Sequence, residues 1–236
     1  MTKNRLPMLA ILATVAGCAA PPDHFHTLRP AVAPGAAPAS AREASRLLAV
    51  GPVTVPDALA RDEWVIRTGD TGAMVYDHQL WTQGLGADVA QSLVDYLNRG
   101  GLPDGLWADA GPTGSGSGAD LDRPAPLRVR VQVLRLDSMF IPTPAIFDDV
   151  RWTIECLPSG ASLGPVDRGR YRVVRTGERE AGGPAPAADT RVDESQRRFD
   201  QLARAHSDTV RLVAADVARA LADSAAERAK TCVAPR

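Results

Sequence analysis

The sequence predicts an α/β fold in which amphipathic helices pack on a β-sheet. Residues 127–133 and 150–156 alternate apolar and polar side chains, the pattern of strands with one buried face. Two other segments repeat apolar residues every three or four positions, which indicates helices. The chain has 236 residues, of which 44% are hydrophobic, so it can bury one sizeable core.

Three strands are predicted before the first helix. Residues 47–55 are rich in Val and Leu, and Pro56 ends the run. Pro52 within it predicts an edge position or a bulge, because proline donates no ladder hydrogen bond. Residues 64–67 and 73–76 follow as the second and third strands.

Two helices are predicted, the longer one near the C-terminus. The first has one apolar face at four-residue steps, formed by Trp81, Leu85, Val89, Leu93 and Leu97. The second spans about residues 193–226 and carries His206 on its apolar side, which we interpret as a core histidine with a partner. Between them, residues 127–133, 150–156 and 171–175 predict an antiparallel meander with one wet face, on which the long helix packs.

The N-terminus has the pattern of a cleaved signal peptide. Lys3 and Arg5 precede an apolar run of about ten residues, too short to span a bilayer. The run ends in Val15-Ala16-Gly17-Cys18, which resembles the bacterial lipobox. That resemblance implies cleavage after residue 17 and acylation of Cys18, by palmitate or similar chains. The alternative is a plain signal peptide with an incidental cysteine.

The residues after Cys18 are interpreted as a lipidated tether rich in Ala and Pro, over 18–45. Low apolar content cannot offset the entropy of ordering such a segment. We expect order to begin at Leu47, and His24 and His26 to be solvated rather than metal ligands. Ala19, where inner-membrane lipoproteins carry Asp, points to an outer-membrane anchor on the periplasmic face.

The charge balance limits the classes of binding partner, and the cysteine content limits which disulfides can form. The chain has 27 basic and 28 acidic residues, and signal-peptide removal takes away two basic ones, which argues against nucleic acid. With Cys18 acylated, Cys156 and Cys232 form a candidate disulfide in an oxidising compartment. Alternatively, Cys156 is a buried small apolar side chain.

No catalytic or metal-binding constellation stands out in the sequence, so we predict no enzyme activity, metal or cofactor. A hydrolase would need a nucleophile within hydrogen-bond reach of a base such as His78 or His206.

The apolar segment around Phe140 and Ile141 is a candidate partner-contact loop. Ile146 and Phe147 follow it closely, and prolines at 142 and 144 disfavour a continuous ladder. Exposed apolar patches tend to mark interaction sites. The alternative is that Phe140 and Phe147 cap the open end of the sheet beneath the C-terminal helix.

The ordered part resembles the ABC-type transport auxiliary lipoproteins, the paraquat-inducible protein C group. The resemblance covers about residues 47–223. Its features are the lipobox at Cys18, the strand at 50–56, Trp81 opening the first helix, and an Ala-rich C-terminal helix through 217–221. Gln83 departs from the family pattern, which often has an acid there.

The resemblance implies a single α/β domain. Together with the strand pattern it predicts that the domain covers residues 46–228 and contains a mixed, largely antiparallel sheet. A disordered tail follows at 229–236. It implies a non-catalytic accessory subunit of an envelope lipid-transport system, docking onto a membrane-anchored MCE-domain protein. An outer-membrane assembly or chaperone lipoprotein is the alternative, and a lipoprotein hydrolase is a third. Homo-oligomer formation stays open.

Overall fold

The computed structural model describes residues 21–29, 46–100, 102–110, 127–140, 145–156, 167–171 and 188–224. In chain order the elements are β1 (His24–His26), β2 (Arg46–Thr54), β3 (Glu63–Arg67), β4 (Ala73–Trp81), α1 (Leu85–Gly100), β5 (Leu106–Ala110), β6 (Leu127–Met139), β7 (Ala145–Cys156), β8 (Asp167–Tyr171) and α2 (Ala188–Asp223). The predicted α/β class and the longer C-terminal helix are confirmed.

The strands form one mixed sheet organised around β6. One edge of β6 pairs in parallel with β2 at its start and with β3 at its end. Its other edge pairs antiparallel with β7, which pairs antiparallel with β8. The strand has 13 residues, about 43 Å of extended chain, so a single edge can hold two neighbours. The predicted meander is therefore confirmed. Its third strand is described at Asp167–Tyr171, and residues 172–175 of the prediction lie outside the described residues.

Burial alternates along the meander as the sequence predicted. In β7 every second side chain is buried, from Ile146 to Cys156. The helices cover that face, with α2 packed on α1 and β7. The opposite face is polar and includes an ion pair of 2.8 Å between Arg130 and Glu155. One face of the sheet therefore packs in the core, and the other is exposed to solvent.

Trp81 is the last residue of β4, not the first of the helix as predicted. Its indole stacks on that of Trp64 with 4.3 Å between ring centroids. Gly84 follows with a φ of 73°, in the left-handed region that glycine tolerates best, and α1 begins at Leu85. The apolar spacing of four residues continues from Trp81 to Leu85 across the turn, because the end of β4 and the start of α1 both bury side chains in the same core.

The proline in β2 marks a bulge. The register with β6 shifts between Val50 and Val53, at Gly51-Pro52. The bulge alternative is therefore confirmed. The pairing of β2 with β5 ends at Val50, so at Pro52 the strand is paired with β6 alone among the described residues, which also fits the edge alternative.

Candidate functional site

A chain of hydrogen bonds crosses the core between the sheet and α2. The indole Nε1–H of Trp64 donates to Ser138 Oγ at 3.1 Å. Ser138 Oγ lies 2.7 Å from His206 Nε2, and His206 Nδ1 lies 2.9 Å from Asp148 Oδ1. A neutral imidazole protonated on Nδ1 satisfies every step, since the serine hydroxyl then donates to Nε2 and Nδ1–H donates to the carboxylate.

Three separate segments supply these groups. A register shift in β6 between Val133 and Arg135 changes the phase of its alternation, so Ser138 faces the core. Asp148 occupies a buried position of β7. His206 lies on the apolar side of α2, as predicted, and its partners are now identified.

The serine, histidine and aspartate have the order of a hydrolase triad but not its accessibility. Triad catalysis requires the serine oxygen to reach a substrate carbonyl. Ser138, Asp148 and His206 have no exposed surface, and Trp64 already donates to the serine oxygen. The distances meet the hydrolase criterion, while burial blocks substrate. The other candidate base, His78, is partly exposed and bonds Asp23 through Nδ1 at 2.8 Å.

The chain becomes ordered earlier than the sequence predicted. Strand β1 pairs in parallel with β4, with Phe25 opposite Leu80. His26 is buried, bonds Gln79 through Nε2 at 2.6 Å, and meets the Trp64 ring edge-on. The expectation of a solvated His26 in a tether is therefore wrong. Three residues carry too little periodicity to reveal a strand whose neighbour is far along the chain.

Asp88, in the first turn of α1, holds this N-terminal segment through hydrogen bonds. Its carboxylate accepts from the Leu28 N–H at 2.6 Å and from the Thr27 hydroxyl at 2.8 Å. Leu28 is fully buried, and Ser207 of α2 donates to its carbonyl at 2.6 Å. Burial raises the pKa of Asp88 above its ordinary 3.8, although these hydrogen bonds act in the opposite direction.

The raised pKa of Asp88 predicts a pH-dependent contribution to stability. A raised carboxyl pKa means that the folded state holds the proton more tightly, so this contribution is complete below about pH 3.8 and is lost as pH rises through the folded pKa. Urea unfolding of wild type and Asp88→Asn across pH measures it. The wild-type free energy of unfolding, minus that of the variant, should fall through this window and then level off. A difference that rises with pH would contradict the assignment.

A groove of about 570 Å³ opens beside the N-terminal segment. It is lined by Phe25, His26, Thr27, Arg29, Tyr96, Asp200, Ala203, Arg204, Ser207 and Asp208. Arg29 at its edge pairs with Asp95 at 2.9 Å. The lining mixes both charges with apolar groups, so it selects no single ligand class.

Phe140 packs within its own domain. Its ring meets Phe199 of α2 and Tyr76 edge-on, with centroids 5.1 and 6.3 Å apart. Ile146 is buried, and the Phe147 ring lies 4.3 Å from the guanidinium carbon of Arg135. These contacts favour the capping interpretation for Phe140. Ile141 lies outside the described residues, so its partner contact remains a prediction.

Cys156 is buried and disulfide-bonded. Its partner lies outside the described residues, as do both other cysteines of the chain, Cys18 and Cys232. The pairing with Cys232 and the acylation of Cys18 remain predictions.

The described residues contain neither a cluster of metal-ligand side chains nor a helix suited to span a bilayer. Their His, Cys, Asp and Glu side chains form no group of three or more placed to hold a metal ion. None of the helices in this part of the chain combines the length and apolar character needed to cross a membrane.

Fold and site together define a single α/β domain whose Ser-His-Asp array is buried in the core. The chain belongs to the family of ABC-type transport auxiliary lipoprotein components, whose model matches residues 26–218. No curated protein matches the sequence.

Two solved structures share the fold. One is the crystal structure of an uncharacterized protein, 17% identical, with a TM-score of 0.53 over 84% of this chain and 98% of that one. The other is protein XCC0632 from Xanthomonas campestris, of the DUF330 family. It is 10% identical, with a TM-score of 0.55 over 86% of this chain and 98% of its own. At these identities the likeness concerns the fold alone.

Proposed function

We propose that this protein is a non-catalytic, lipid-anchored accessory subunit of an envelope lipid-transport system. It is held at the periplasmic face of the outer membrane through Cys18 and docks onto a membrane-anchored MCE-domain component. The observation that carries the proposal is the family match over residues 26–218, which makes the chain an auxiliary lipoprotein of an ABC-type transport system.

The buried hydrogen-bond chain supports the non-catalytic part. A hydrolase would have to open the interface between α2 and the sheet to expose Ser138. That interface also contains Phe199 and Trp64, whose rings pack at 5.4 Å. Opening it would cost the burial of several large side chains, each worth about 1.5–3 kcal/mol. We therefore assign Ser138, His206 and Asp148 to holding the helix on the sheet.

Recovery of the partner tests the proposal. The acylated protein, cross-linked in cells and purified from membranes, should bring down an MCE-domain protein. Recovery of an outer-membrane β-barrel or a secretin instead would contradict it and support the assembly alternative.

Two variants locate the contact within the same experiment. Ile141→Ser should weaken recovery of the partner, because the sequence predicts an apolar partner-contact loop at this position. Gln132→Ser, at an exposed position of β6, is the control and should leave recovery unchanged. Equal recovery with both variants would reject Ile141 as a contact.

A further inference from the structure

The chain between the lipid-bearing residue and the folded domain is short. Asp23 already contacts the folded domain, since its carboxylate forms a hydrogen bond of 2.8 Å with His78 of β4. Residues 19–22 alone separate Asp23 from Cys18. Five Cα steps span at most about 18 Å. Acylation of Cys18 therefore holds Asp23, the residue directly before β1, within about 18 Å of the lipid headgroups.

The N-terminal segment is fixed on several sides. Residues His24 to His26 pair with β4, and Leu28 is held by Asp88 and Ser207. The Ala/Pro-rich residues 30–45 consequently join two ordered strands, β1 and β2, within one domain. Residues 30–45 therefore do not lie between Cys18 and β1, and of the predicted tether only residues 19–22 separate Cys18 from Asp23.

Exposed apolar side chains lie on β1, the strand nearest to Cys18 in the chain, and on its neighbour β4. Among the described residues, three large hydrophobic side chains are exposed: Phe25 at 62%, Met74 at 50% and Val75 at 39%. Phe25 belongs to β1 and the other two to β4. Beyond β1, this edge of the sheet has no further strand among the described residues. An exposed phenylalanine beside a lipid anchor is suited to the interface of a bilayer.

We propose that the edge formed by β1 and β4 rests on the phospholipid surface that holds the acylated Cys18, with Phe25 in the headgroup region. This inference rests on the proposed acylation. Two observations on separate parts of the chain support it: the short reach set by residues 19–22, and the exposed apolar side chains at the same edge. The domain then works at the membrane surface instead of extending into the periplasm.

Photocross-linking tests the contact directly. The acylated protein is reconstituted in vesicles of phosphatidylethanolamine and phosphatidylglycerol, without any transport partner. Phe25→p-benzoylphenylalanine should form phospholipid adducts roughly tenfold more often than Gln132→p-benzoylphenylalanine. Gln132 is exposed on β6, away from the anchored edge, and serves as the matched control. Protein dimers in place of lipid adducts at position 25 would mean that a second copy covers this edge, which overturns the proposal.

A pair of insertions tests the reach. Twenty Gly/Ser residues add about 25 Å of root-mean-square length. Placed between Ala20 and Pro21, they should lower lipid adducts at Phe25 roughly fivefold, because the edge can leave the surface. The same insert between Ala37 and Pro38 should leave the adducts unchanged, because it lies inside the domain. The opposite pattern would restore the long-tether interpretation and reject this one.

Failure of this inference is distinguishable from failure of the proposed function. Mass spectrometry showing an unmodified Cys18, with no binding to vesicles, rejects the anchor and the membrane contact together. An acylated, vesicle-bound protein whose lipid adducts at positions 25 and 132 are equal rejects the contact alone.

Discussion

Replacing Asp148 with alanine should lower the free energy of unfolding by about 1–3 kcal/mol, because it leaves the Nδ1–H of the buried His206 without an acceptor. His206 would keep its bond to Ser138 but lose the acceptor for Nδ1–H, 2.9 Å away. An unsatisfied buried donor costs more than the net value of the bond itself. Urea denaturation followed by tryptophan fluorescence measures the change, since Trp64 lies in the same network.

The matched control is an exposed ion pair on the same helix. Arg198 and Glu194 are about half exposed and 3.1 Å apart, so Glu194→Ala should cost less than about 1 kcal/mol. The double variant Asp148→Ala, His206→Ala should lose less free energy of unfolding than the sum of the two single variants, because each single change already removes the same interaction. Additive losses, or an Asp148→Ala cost no larger than the control, would show that the pair does not hold α2 on the sheet.

Cys18→Ala should abolish acylation and move the protein from the membrane to the soluble fraction. One acyl chain gives only marginal membrane binding and two signals give stable anchoring, so removing every chain takes away the principal attachment. The readouts are mass spectrometry of the mature N-terminal peptide and fractionation of cells. Recovery of the MCE-domain partner from membranes should fall with it.

Cys232→Ala is the control for that experiment. It removes the predicted disulfide partner of Cys156 but leaves the lipobox intact, so the protein should remain in the membrane fraction. A wild-type N-terminal peptide with an unmodified Cys18, or membrane fractionation that survives Cys18→Ala, would contradict the anchor.

The buried array of Ser138, His206 and Asp148 has the distances of a catalytic triad but is not accessible to a substrate. Ser138, His206 and Asp148 satisfy the distances expected of a nucleophile, a base and its orienting carboxylate. In this domain the array lies between helix and sheet, where each polar group needs a partner to offset its desolvation. A neutral imidazole with one donor and one acceptor joins a hydroxyl to a carboxylate across the core.

The N-terminal segment changes how the domain is placed relative to its anchor. Its docking through Asp88 makes the first ordered residues part of the sheet. With the proposed acylation of Cys18, we expect the proposed docking to take place near the membrane surface.

The sequence alone determined the elements that depend on local repetition. Alternation in β6 and β7 predicted their buried faces, and the spacing of apolar residues predicted both helices. The phase of those patterns also placed His206 in the core. Alternation and helical spacing are read from near neighbours, so no knowledge of the fold was required.

Tertiary structure alone decided which distant segments meet. Ser138 and His206 are separated by 68 positions, and Asp148 and His206 by 58. The parallel pairing of β1 with β4 joins residues about 55 positions apart through a strand of three residues, too short for any periodic signal. The apolar step from Trp81 into α1 was misassigned because burial continues across a turn at Gly84. Local patterns specify which side of an element is apolar, whereas long-range packing decides what that side contacts.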